Sequence, residues 1–398
     1  MTRPCPAWLA ERLRAAGGSV PFARYMDWAL HDPEHGAYGS GRLQVGRSGD
    51  FATSPSLGPD FAGLLAPQIA QWLEQVGTER LSLIEAGPGE GDLAADLAVE
   101  LAARWPQLAT RLELVLLEPN AGMAMRQRRR LAGCPLPVRW CSFEQLAAEP
   151  VQGVLLAHEV LDALAVERVI WHGALWRRQL VVLDEDAAAG PSLRLAPGEP
   201  LAPQADAALW SQLKLRGFLE SDVPSAAARA LPAGWTTELH TGLTPWLQQA
   251  ASVLTIGVLL VIDYALETWR YNRANRADGT LLAYRDQQAS GELLQQPGCW
   301  DLTAHLCLES LDAAAAASGW GLLGQRRQGE ALLALGLAQR LHGLQQSEPY
   351  ELTRALASRE ALLRLVDPAA LGDFRWIAYR KGAFDDAAGA LFLLEPPG

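Results

Sequence analysis

The chain has 398 residues, 49% of them hydrophobic and 20% charged, which is an ordinary globular composition with length for one large or two modest domains. Its net charge of −11 excludes nucleic acid or an anionic membrane as a partner held by bulk charge. Five scattered cysteines without a CxxC pair suggest neither a zinc site nor a disulfide framework, so no metal is expected and a reduced, cytoplasmic setting is.

In chain order, the N-terminal stretch MTRPCPAWLAERLRAAGG reads as a short amphipathic helix ending at Gly17-Gly18, and not as a signal peptide. A long Gly-rich segment follows, from His31 to Gly58, and then a helix in DFAGLLAPQIAQWLEQ. The first 80 residues offer no clear sheet strand. From Leu81 the pattern becomes strand, turn and helix in repetition: LSLIEAG, then DLAADLAVELAAR, LELVLLEP, AGMAMRQRRRLA, PVRWC and GVLLAHEVLDAL. That alternation predicts a parallel, doubly wound sheet with its ligand at the carboxyl ends of the strands.

The regularity then breaks. AVERVIWHGALWRRQLVVLDED reads as a β-hairpin, and residues 186–235 read as an insertion carrying little of the core. The apolar run Val253–Ile262 is short of the about 20 residues a bilayer demands. It ends in Asp263 and reads as a fifth sheet strand. A long polar loop follows, RYNRANRADG through PGCWDLTAHL, with Asp301 as the N-cap of the next helix. GLLGQRRQG and FRWIAYRKG supply two last strands, the final one antiparallel. The expected organisation is a helical and Gly-rich lid over 1–80 and a core over 81–398, with insertions at about 165–250 and 266–310.

The stretch EAGPGEGDL follows a strand and opens a helix, as a cofactor turn requires. Its glycines, Gly87, Gly89 and Gly91, are spaced GxGxG. Glu85, Glu90 and Asp92 crowd the helix start, and no Lys or Arg lies between Glu85 and Asp96. Carboxylates there repel a pyrophosphate, so a cationic or zwitterionic ligand without phosphate suits the turn better. Glu118, at the end of the second strand, is placed to accept both hydroxyls of a ribose, which fits NAD and S-adenosylmethionine alike.

Four ordered blocks carry a family resemblance: GRSGDFATSP, EAGPGEGDL, LLAHEVLDALAV, and VIDYAL paired with PGCWDLTAHL. Together they resemble the MidA-type methyltransferases, relatives of the mitochondrial complex I assembly methyltransferase. GTLLAYR is similar to a block of the bacterial members. The chain departs from the family pattern at Ala86, at Ala165 and after Tyr264. The resemblance implies an α/β fold with a Rossmann-like, seven-stranded, mostly parallel methyltransferase core and added substrate-covering segments. It implies S-adenosyl-L-methionine as cofactor, bound by Glu85, Gly87, Pro88, Gly89, Gly91 and Glu118, with Asp50 and Phe51 from an N-terminal loop folding over it. For the mitochondrial relative it implies arginine methylation of a respiratory-complex subunit.

An arginine acceptor sets a chemical requirement. Guanidinium is protonated up to a pKa above about 12, so carboxylates must grip it and a base must take a proton as the methyl arrives. HEVLD, at the end of the fourth strand, supplies Glu159 as the first choice for the grip, Asp162 as the second, and His158 as proton acceptor or hydrogen-bonding wall. Asp263, Tyr264, Asp301 and His305 are candidates for lining the acceptor channel. The resulting expectation is a protein substrate, no nucleic acid and no membrane insertion, with room for a homodimer. Two rival readings are an NAD-dependent oxidoreductase and a non-catalytic assembly chaperone that retains a cofactor-binding fold.

Overall fold

The computed structural model describes all residues except 1–2, 44–45, 47–48, 50–52, 186–189, 347–350, 386, 388 and 397–398. The chain divides into two compact units: Met1–Gln44, Asp162–Pro245 and Ala265–Ala314 form one, and Val45–Leu161, Trp246–Tyr264 and Ala315–Gly398 the other. Of residues 1–80, read from sequence as one N-terminal region, Met1–Gln44 fall in the first unit and the remainder in the second.

The second unit is built on a seven-stranded sheet. Its strands are β1 (Leu81–Ala86), β2 (Leu112–Leu117), β3 (Val138–Cys141), β4 (Val151–His158), β5 (Leu254–Asp263), β6 (Gly321–Arg327) and β7 (Arg375–Lys381). Their spatial order is β6-β7-β5-β4-β1-β2-β3. The five strands β1 to β5 run parallel, and β7 lies antiparallel between β5 and β6. Every residue of β1 is buried, as a parallel strand covered on both faces requires. The ends of β1 and β4 meet beside the point where the order reverses, where such a sheet opens a crevice for a ligand.

Helices α1 (Asp60–Val76), α2 (Asp92–Arg104) and α3 (Ala121–Arg130) flank this sheet in sequence. On α2, Leu93, Ala94, Leu97, Ala98 and Leu101 are buried, which is the i, i+4 stripe of a core-facing helix. On α3, Met123, Ala124 and Gln127 are buried, and the side chain of Asn120 caps the helix by accepting from the Met123 amide at 2.9 Å. Backbones approach closely in the middle of the sheet. A Cβ on Gly153 of β4 would lie 1.9 Å from the Ser82 carbonyl oxygen of β1, so only glycine fits.

The first unit holds a six-stranded antiparallel sheet. Trp176–Asp184 lies between Ser192–Pro200 and Glu167–Trp171, with Thr236–Leu239 and Arg3–Pro4 at the ends and Ser19–Pro21 paired to Trp176–Asp184. The hairpin at residues 167–184 is as the sequence predicts, but two expectations are corrected. The N-terminal region does contribute strands. The 186–235 region contributes to a core, because its Leu209, Leu213, Phe218 and Trp235 pack with Trp171 and Trp176 of the hairpin. A further correction concerns the polar loop: Leu282–Arg285, Gln288–Ser290 and Asp301–Thr303 form a three-stranded sheet. Asp301 is therefore a strand residue and not a helix cap, and the next helix begins only at Leu308. Among the described residues no helix is long and apolar enough to cross a membrane.

Candidate active site

In the second unit the carboxyl ends of β1, β2, β4 and β5 bring together Glu85, the Gly87–Gly91 turn, Glu118, His158, Glu159, Asp263 and Tyr264. The turn is a backbone construction. Gly87, Gly89 and Gly91 all have positive φ, at 61°, 52° and 87°. The Gly87 amide donates to the Leu117 carbonyl at 3.3 Å, and the Pro88 carbonyl accepts from the Gly91 amide at 2.7 Å. The N-cap residue of α2, Gly91, offers no side chain, and the Ala94 amide in the first turn donates to the Glu85 carboxyl, so that carboxyl sits at the positive end of the helix.

Glu85 is 4% exposed, and its Oε2 has no hydrogen-bond partner among the described residues. Burial, reinforced by Asp92, raises its pKa to about 8. A buried carboxyl in this condition is a receptor for a cation. Glu118 is half-buried, and burial raises its pKa against the opposing hydrogen bonds. Its Oε1 accepts from the Asn120 amide at 2.8 Å and its Oε2 from the Gln127 side-chain amide at 2.9 Å. Each oxygen keeps a lone pair for a further donor, as a ribose diol needs. The donor set therefore fits a ligand that combines an ammonium group with an adenosine.

One premise of the sequence reading is corrected. The acids of the turn are not without cations. Arg126 of α3 pairs with Glu90 at 3.0 Å, and Arg130 pairs with Asp92 at 2.7 Å and Asp96 at 3.1 Å. Arg126 and Arg130 thus offset the acids of the helix start, and Gln127 beside Arg126 is fully buried.

At the end of β4, His158 packs edge-on against Phe61 at 5.5 Å and beside Phe374 at 6.5 Å. Burial lowers its pKa to about 3, which keeps it neutral and a weak base. Glu159 follows with φ of +52°, a left-handed conformation that costs a residue bearing a Cβ about 1–2 kcal/mol. It is held there by its amide, which donates to the Ile262 carbonyl at 2.9 Å. Its side chain is 9% exposed, with Oε1 3.5 Å from His158 Nδ1. Asp263 is fully buried. Its Oδ2 accepts from the Leu161 amide at 3.0 Å and its Oδ1 from its neighbour Tyr264 at 2.8 Å. It therefore anchors the segment after Glu159. The Tyr264 ring rests on Phe374, with centroids 4.0 Å apart.

The remaining candidates lie in the first unit. Asp162 and Asp301 are buried, and Asp301 stands opposite Tyr284 in the strand register. Burial raises the pKa of the Tyr284 hydroxyl, with the charges of Asp162 and Asp301 adding to it. The His305 amide donates to the Thr280 hydroxyl at 3.1 Å. Asp50 and Phe51 lie outside the described residues.

A family model described as S-adenosyl-L-methionine-dependent methyltransferase matches residues 64–326, about two thirds of the chain. The chain belongs to this methyltransferase family. The NAD reading falls with that membership. A Drosophila melanogaster relative, the mitochondrial protein arginine methyltransferase NDUFAF7 homolog, is 27% identical over 94% of this chain and 85% of its own length. Human mitochondrial NDUFAF7, also named a protein arginine methyltransferase, is 28% identical over 72% of this chain and 63% of its own. A solved COG1565 superfamily member from Burkholderia thailandensis, bound to S-adenosyl-homocysteine, superposes with a TM-score of 0.83 at 28% identity, covering 100% of this chain and 99% of that one. The cofactor of this methyltransferase is S-adenosyl-L-methionine, and the Glu85 and Glu118 environments suit its two polar ends.

Sequence reasoning missed Gln127, Arg126 and Arg130. The available signal was a helix N-cap, Asn120, two residues after Glu118, which sets α3 against the turn.

Proposed function

We propose that this methyltransferase methylates arginine on a protein substrate. Bound S-adenosylmethionine supplies an electrophilic methyl group on a sulfonium, and the chain supplies the binding and alignment. Glu85 takes the ammonium end and Glu118 the ribose hydroxyls. Beside the α2 start, the turn leaves backbone without a Cβ at Gly87, Gly89 and Gly91. His158, Phe61 and Phe374 form an apolar flank that excludes water from the carboxylate beside them.

The observation that carries the acceptor assignment is Glu159. A carboxylate on a strained residue at the end of β4, held by a backbone hydrogen bond, marks a position maintained against its conformational cost. Such a carboxylate grips a guanidinium, localises its charge on one side and leaves the other nitrogen nucleophilic. The relatives named as protein arginine methyltransferases support the same acceptor. Asp162 and Asp301, both buried acids of the first unit, are further candidates for holding the cationic acceptor.

The test is transfer of labelled methyl from S-adenosylmethionine to proteins of a methylation-deficient extract, with the modified residue read by mass spectrometry. Glu159→Gln is expected to keep cofactor affinity within about twofold and to lower transfer by about a hundredfold or more, in the range of a lost charged grip. Methyl found on lysine, or on no protein at all, overturns the arginine reading. Near wild-type transfer by the variant removes Glu159 from the grip.

A further inference from the structure

We propose that Gln127 is the positioning residue for ribose recognition, acting through Glu118 and through the Gly89 carbonyl. The inference rests on the assignment of Glu118 to the ribose given above.

Gln127 is 0% exposed although it sits among arginines 126 and 128–130. All of that burial is compensated. Its Nε2 donates to the Gly89 carbonyl at 2.9 Å and to Glu118 Oε2 at 2.9 Å, and its Oε1 accepts from Trp140 Nε1 at 3.1 Å. The amide orientation is fixed by chemistry. A carbonyl and a carboxylate can only accept, and an indole N–H can only donate, so the flipped amide would lose all three bonds. One side chain therefore ties the cofactor turn after β1 to the carboxylate after β2.

The consequence for recognition is geometric. A carboxylate binds two vicinal hydroxyls only if its plane is held, because both oxygens must meet their donors at once. Asn120 fixes one oxygen of Glu118 and Gln127 the other. Without the Gln127 bonds, Glu118 is held by the Asn120 amide at one oxygen only, and the Gly89 carbonyl loses its side-chain donor. Glutamate at 127 sets a like charge against Glu118, and asparagine is one methylene too short to span both partners. The role thus needs glutamine.

The experiment is calorimetric titration with S-adenosylhomocysteine and with its 2′,3′-dideoxyribose analogue, on wild-type protein and on Gln127→Met, Trp140→Phe and Glu118→Ala. Gln127→Met is expected to weaken S-adenosylhomocysteine roughly ten- to a hundredfold and the dideoxy analogue less than about threefold, because the analogue lacks the hydroxyls that Glu118 holds. Trp140→Phe removes only the fixing donor and is expected to give a smaller loss with the same dependence on the hydroxyls, which keeps the test open if Gln127→Met does not fold. Equal losses with both ligands, or no loss, overturn the proposal and leave Gln127 a packing residue. If Glu118→Ala discriminates between the ligands and neither other variant does, Gln127 alone is misassigned. If Glu118→Ala does not discriminate, the ribose assignment itself fails.

Discussion

Glu85 Oε2 has no hydrogen-bond partner among the described residues, and burial, with Asp92 adding to it and the Ala94 amide opposing it, raises the carboxyl's pKa to about 8. At pH 7 the free protein therefore carries it mostly neutral. An ammonium arriving beside it favours the anion, so cofactor binding expels a proton. Titrations at pH 7 in buffers of different ionisation enthalpy are expected to show release of most of a proton, falling toward zero as the pH rises well above about 8. Glu85→Gln is expected to release none and to bind more weakly; unchanged release in that variant would place the proton elsewhere. The sign for folding follows from the same shift. The folded value lies above the unfolded one, so the contribution to stability is fully present below about pH 4.5 and is lost as pH rises toward about 8. Glu85→Gln should flatten that decline in melting temperature. Glu85 and Glu118 were legible in the sequence because a strand end followed by a turn fixes where a side chain stands. Gln127 was not, since a glutamine in an arginine run has no apolar signal, and its partners lie 38, 9 and 13 positions away.

At the scale of elements, β1 to β5 were legible because parallel strands covered on both faces must be continuous apolar runs. The sheet formed by Leu282–Arg285, Gln288–Ser290 and Asp301–Thr303 was not. Its strands are three or four residues long and mostly polar, too short to show a period of two. Gly153 gives the element-scale prediction. Its missing Cβ is what allows β4 to approach the Ser82 carbonyl, and the same closeness recurs where a Cβ on Gly257 would lie 1.9 Å from the Gly153 carbonyl. Gly153→Ala is expected to cost about 3 kcal/mol or more, the range of the most damaging single substitutions. Gly133→Ala makes the control: its φ is +82° but a Cβ there meets nothing within 4 Å, so its cost should stay near the about 1–2 kcal/mol of left-handed strain alone. Denaturation midpoints of the two variants compare close approach with strain directly, and similar losses would refute the close-approach argument.

At the scale of the whole molecule, the two units have separate apolar cores and separate shares of the chemistry. The residues proposed to hold the cofactor, Glu85, Gly87 to Gly91 and Glu118, all belong to the seven-stranded unit, whereas Asp162, Asp301, Tyr284 and His305 belong to the other. The second core was illegible because its tryptophans are divided between the hairpin, Trp171 and Trp176, and Trp235 at the end of a segment whose Ala, Pro and Gly content looks like linker. Trp176 lies at its centre, with ring centroids 5.2 Å from Trp171, 5.2 Å from Phe218 and 6.1 Å from Trp235. Trp176→Ala should remove about 3–5 kcal/mol from that unit, as a large aromatic truncation in a packed core does. Because no cofactor residue shares that core, S-adenosylhomocysteine affinity is expected to stay within about twofold while methylation of the protein substrate falls. Calorimetric titration and the transfer assay on one preparation separate the two effects. Loss of cofactor affinity in step with the fall in transfer would show that the Trp core also supports the cofactor turn, and the division of labour between the units would have to be abandoned.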